Sequence, residues 1–125
     1  MTSSDDWVDP TLARLLVYQE ARTAAALARR VTNRWPPHER DSLGDQIRRS
    51  ADSVYANIAE GHGRTTQREK ARFFSIAWSS LTELRAHLEQ ASASALLPRH
   101  ETAELRTHLV RTTILLAGLR RSISQ

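Results

Sequence analysis

The chain has no cysteine, which removes disulfides, thiolate metal sites and cysteine nucleophiles from consideration. It has no apolar run near the roughly 20 residues that a membrane-spanning helix needs. The longest, Ile114 to Leu119, is a short patch in an arginine-studded segment. It starts MTSSDDWVDP, acidic and poor in apolar residues, unlike an export signal. Together these set the expectation of a cytoplasmic protein with no membrane role. Lysine is nearly absent: every basic residue is arginine except Lys70. Arginine favours bidentate contacts with phosphate and carboxylate. The net charge is +4, and since Asp5, Asp6 and Asp9 sit at the start, the rest is more basic still. A basic balance permits nucleic-acid binding without establishing it.

What is present is helical periodicity over 125 residues, the size of one domain. Residues 1–9 read as a flexible acidic tail and 10–125 as a four-helix bundle. Asp9–Pro10 is a helix start, with Asp at the cap and Pro in the first helical position. The first helix is expected to run to about Asn33. Its seam is Val17, Ala21, Ala24, Ala28, Val31 and Trp35, widened by Leu16 and Leu27. Trp35–Pro36–Pro37 breaks it. A second helix follows from about Pro37 to Glu60, with Ile47, Ala51, Val54 and Ile58 as its apolar stripe. Gly61 is expected to stop it in a left-handed cap.

Thr66-x-x-Glu69 is a capping box for a third helix. Phe74, Ala77, Leu81, Leu84, Leu88, Ala91 and Ala95 hold heptad-like spacing along it. Leu96–Leu97–Pro98 is the last break. The fourth helix runs from about Arg99 to Ser122, with a seam of Leu105, Leu109, Thr112, Leu116, Leu119 and Ile123. Four amphipathic helices with short connections predict an all-α, antiparallel up-and-down four-helix bundle. Val110, Ile114 and Trp78 lie outside the seams and suggest a homo-oligomer interface.

The residues from Trp35 to Leu84 resemble a known family, the four-helix bundle proteins encoded in intervening sequences of bacterial 23S ribosomal RNA genes. The matching pieces are Trp35–Pro36, the Gln-Ile-Arg-Arg start at Gln46 to Arg49, Asn-Ile-Ala-Glu-Gly at Asn57 to Gly61, Gly63–Arg64, and Ser-Leu-x-Glu-Leu at Ser80 to Leu84. The chain departs from the family's Ser-x-Pro-x-Asn, carrying Tyr55 where proline is usual, so a straighter second helix is expected. The resemblance implies a small cytosolic bundle that assembles into a ring, most often a pentamer. The family is also similar to accessory proteins of diversity-generating retroelements, basic pentameric bundles that contact a reverse transcriptase and nucleic acid. The implied function is non-enzymatic, with RNA, DNA or a nucleic-acid-handling protein as partner. The alternative is a structural protein–protein interaction module with no nucleic-acid role.

The candidate nucleic-acid contacts are Arg22, Arg29, Arg30, Arg106, Arg111, Arg120 and Arg121, on two helices that can be neighbours in a bundle, where their charges could merge into one patch; the alternative is a solvated basic face. Arg64 and Arg68 flank the start of the third helix, where free amides attract anions. With no RNA-recognition, helix-turn-helix or zinc-finger signature, recognition is expected to be of backbone or shape. The polar stripe Gln46, Ser50, Ser53, Asn57 and Glu60 reads either as a binding surface or as a buried network meeting Ser80 and Glu83. Arg49 is expected to close that network through Glu60 or Glu83. His87 and His108 each follow a glutamate (Glu83, Glu104) as Glu-x-x-x-His, whereas di-iron bundles use Glu-x-x-His. No metal site, cofactor or catalytic residue is therefore expected.

Overall fold

Every proline break expected from the sequence falls at a helix end, and two further breaks divide the first and second helices. The computed structural model describes residues 7–123, which are all-helical with no strand among them. The elements are α1 (Pro10–Ala13), α2 (Leu16–Asn33), α3 (Pro37–Asp41), α4 (Leu43–His62), α5 (Gln67–Ala93), a 3-10 turn (Arg99–Glu101) and α6 (Ala103–Ile123). No described helix is long and apolar enough to cross a membrane. Most of the expected acidic tail lies outside the described residues. Of its last members, Trp7 is exposed, Val8 packs on the core and Asp9 accepts a hydrogen bond from the Thr11 hydroxyl.

A break after α1 separates it from α2. Leu15 is extended, and Leu16, expected in the seam, is 61% exposed while Val17 and Tyr18 are buried. The second break is at Ser42, whose hydroxyl donates to the His38 carbonyl at 2.7 Å and so satisfies one of the free carbonyls of α3. α4 then runs unbroken past Tyr55, whose ring meets Tyr18 edge-on at 6.2 Å. Burial raises the Tyr55 phenol above its ordinary pKa, and the nearby Asp52 adds to this.

Named contacts join each helix to its neighbours. From α2 to α4, Thr32 meets Arg48 and Arg29 meets Asp52. From α4 to α5, Ser53 meets Ser80 and Gly61 meets Phe74. From α2 to α6, Glu20 meets His108, and from α5 to α6, Ser75 meets Arg120. The core between them is formed by the expected seams: Ile47, Ile58, Ala77, Leu84 and Leu116 are almost fully buried. Ala21, Ala24 and Ala28 are small enough to let the neighbours of α2 approach closely. Trp35 is buried, and its indole N–H donates to the Leu96 carbonyl at 3.0 Å, tying the two proline breaks together.

Gly61 does not end α4. The helix continues to His62, Gly63 caps it in a right-handed conformation, and no described glycine has positive φ. Glycine is required at 61 for space: a Cβ there would sit 2.6 Å from the Phe74 ring. The left-handed cap occurs instead at Ala95, φ 62°, after α5. The Leu96 amide donates to the Ala91 carbonyl and the Ala95 amide to the Ser92 carbonyl, the two bonds of a Schellman motif. An L-residue with a Cβ pays about 1–2 kcal/mol in that conformation. Ala95→Gly is therefore expected to raise stability by about 1 kcal/mol, seen as a higher thermal midpoint; a lower midpoint would show that the cap conformation is not strained.

The polar stripe of α4 forms a network around Ser53 and Asn57. The Ser53 and Ser80 hydroxyls are 2.7 Å apart, Asn57 Nδ2 donates to the Ser53 carbonyl and hydroxyl, and Ser50 donates to the Gln46 carbonyl. Arg49 does not close it. Its side chain is 80% exposed and pairs with Asp45 one turn back, because Glu60 and Glu83 are themselves turned outward, to Arg64 and His87.

Candidate nucleic-acid interface

The C-terminal end of α4, the first turns of α5 and the last turns of α6 come together at one end of the helices. The short link from α4 to α5 is opened by Thr66, whose hydroxyl accepts from the Glu69 amide at 3.1 Å, as the capping box predicts. Lys70 Nζ donates to the His62 carbonyl at 2.9 Å and fixes the end of α4. Capping in this way directs α5 so that Arg68, Arg72 and Ser75 follow one another on the same side of the helix.

Arginines at this end lie over aromatic rings. The Arg64 and Arg72 guanidiniums are 4.7 and 5.1 Å from the centre of the Phe73 ring, and Arg64 also pairs with Glu60 at 2.6 Å. Arg120 lies 5.1 Å from the centre of the Trp78 ring, with Nη2 3.5 Å from the Ser75 hydroxyl. Arg121 lies beside it. Stacking uses the face of a guanidinium, whereas phosphate is bound by its in-plane N–H groups, so the two are compatible. Asp9, also at this end, is held below the ordinary carboxylate range by its hydrogen bond from Thr11, with a smaller contribution from His62.

The remaining arginines are placed differently. Arg29 is bound to Asp52 at 2.7 Å, and Arg22 lies 5.8 Å from the centre of the Tyr18 ring, so both sit on the α4 side of α2 rather than the α6 side. Arg106 donates to the Thr102 hydroxyl and the Arg99 carbonyl, holding the start of its own helix. Arg111 is 3.9 Å from Glu20, which also meets His108 Nδ1 at 2.6 Å. Arg30 shares a recess with Glu101 and Glu104. The arginines of the first and last long helices therefore do not merge, because Glu20, Glu101 and Glu104 stand along their junction. His87 and His108 face different glutamates, and no three metal-ligating side chains converge among the described residues.

The sequence model of the 23S rRNA-intervening sequence protein family matches residues 13–118. The chain belongs to that family. No match was found among curated proteins. In this 23S rRNA-intervening sequence protein, part of the family pattern lies at the described end: Asn57 to Gly61 fall in the last turns of α4, and Gly63 and Arg64 follow it. Arg72 and Phe73 were not singled out from the sequence. The signal was present in the spacing, because Arg68 and Arg72 are one turn apart, as are Ala71, Ser75 and Trp78 in succession.

Proposed function

We propose that this is a non-enzymatic four-helix bundle that assembles into a ring and binds RNA or DNA through arginines at one end. The reversed order of the contacts between α2 and α4 and between α4 and α5 supports an antiparallel up-and-down arrangement. Family membership and the exposed Val110 and Ile114, at 58% and 64%, support assembly. The observation that carries the binding role is the set of arginines at this end, of which Arg64 and Arg72 lie over Phe73 and Arg120 over Trp78 rather than being consumed by acidic partners alone. A ring repeats this cluster once per subunit and multiplies its avidity.

The test is a titration against labelled structured RNA and duplex DNA over a salt series. The expected result is binding that weakens steeply with salt. Arg68→Glu/Arg72→Glu should weaken it by about tenfold or more and make the log–log salt slope shallower by about two. No binding at low salt would refute the reading. A second reading, a protein-interaction module, is favoured by the groove of Leu88, Leu109, Val110 and Ile114 between Arg85 and Arg106. Val110→Glu/Ile114→Glu that abolishes a protein partnership while nucleic acid never binds would favour it.

A further inference from the structure

We infer that the recess between α5 and α6 beside Trp78 is a stacking site for one unpaired nucleobase. This rests on the nucleic-acid reading and gives it a place and a substrate class, single-stranded over duplex. The recess holds about 330 Å³ and is lined by Ala71, Ser75, Trp78, Ala117, Arg120 and Arg121. That is at the small end of ligand pockets and suits one ring system rather than a large ligand.

Each wall has a chemical use. The Trp78 indole is half-buried, held on one side by the core and open on the other to the recess. Ala71 and Ala117, with their small side chains, make a low floor beside the indole. Arg120 now covers that face at 5.1 Å. A base inserted between them needs two layers of flat contact, about 7 Å from indole to guanidinium. Arg120 reaches this by an outward swing of its half-buried, unbranched side chain, which the Trp78 ring contact and the long 3.5 Å contact with Ser75 hold in place. The result is a base held between an indole and a guanidinium, with Arg121 beside it for the phosphate.

The arrangement discriminates against duplex. In a helix both faces of a base are covered by its neighbours, so a side wall can stack only on a base that is splayed out. Ser75 supplies the one hydroxyl in the lining, too little to read a base edge, so preference among bases follows stacking area. Arg68 and Arg72, next along α5, continue a path for the backbone.

The experiment uses the full chain and three probes of equal length: oligoadenylate, an abasic sugar-phosphate chain, and a duplex. The unaltered protein is expected to bind oligoadenylate between about fivefold and about a hundredfold more tightly than the abasic chain. Trp78→Leu should remove that advantage and leave abasic binding unchanged, while Trp78→Phe should keep part of it. In a Trp7→Phe protein, oligoadenylate and not the abasic chain should quench indole emission. Equal binding of oligoadenylate and abasic chain by the unaltered protein overturns the stacking site and leaves the electrostatic reading standing. Failure of all three probes overturns both. Should Trp78→Leu not fold, the probe comparison on unaltered protein and the Trp78→Phe variant still decide.

Discussion

Gly61→Val is expected to lower the unfolding free energy by about 3 kcal/mol, and Gly61→Ala by about 1 kcal/mol. Helix propensity alone predicts the reverse for alanine, a gain of about 1 kcal/mol over glycine inside a helix. The close approach of α4 to α5 decides the sign. A Cβ at 61 would lie 2.6 and 2.8 Å from two Phe74 ring carbons and 3.1 Å from Phe73 Cβ. Phe74 is 2% exposed and packed within the core, so its ring has nowhere to withdraw. Gly63 provides the control, since a Cβ there meets nothing nearer than 3.7 Å; Gly63→Ala should be neutral or stabilising. Urea denaturation measures both, read from the midpoint at constant slope. Combining Gly61→Ala with Phe74→Leu should cost less than the sum of the two. If Gly61→Ala proved more stable than the unaltered protein, the close-approach explanation would be wrong.

Arg48→Ala is expected to cost about 2–3 kcal/mol, far more than the same change at Arg49 next to it. The Arg48 side chain is 14% exposed. Its two terminal nitrogens donate to the Thr32 hydroxyl and the Arg40 carbonyl, each at 2.9 Å, and so join α2, α3 and α4. Truncation leaves the Arg40 carbonyl without that donor where the helix breaks at Ser42, and hydrogen bonds to a charged group are worth about 1.5–3 kcal/mol. Arg48→Lys should recover little, because one ammonium does not span two acceptors held apart by a planar fork. Arg49 makes an exposed pair with Asp45 at 3.0 Å, so Arg49→Ala should fall within about 0.5 kcal/mol of the unaltered protein. Thermal or urea unfolding of the four proteins settles it. Equal losses at 48 and 49 would mean that the Arg48 fork holds nothing together.

These two residues show the limit of periodicity. Arg48 and Arg49 share the outer face in a helical projection, yet one crosses to α2 and α3 and the other stays on its own helix. Gly61 at the end of a helical pattern reads as a cap, but its reason is a ring on another helix. Leu16 and Leu27 lie on the same flank of α2, yet Leu27 is buried and Leu16, in the first turn, is exposed.

The sequence by itself determined the helical class, the proline breaks at Trp35–Pro36 and Leu97–Pro98, the capping box at Thr66, and the seams that fill the core. These depend on local backbone chemistry and on which side chains shun water, and both are written in residue order. The family pattern from Trp35 to Leu84 was legible for the same reason. Tertiary structure alone decided which arginines stand together. A surface charge is free of periodicity, and its neighbours are fixed by which helix ends meet. Glu20, Glu101 and Glu104 stand between the arginines of the first and last long helices, whereas Arg120 of α6 comes to lie over Trp78 of α5 only when the chain is folded.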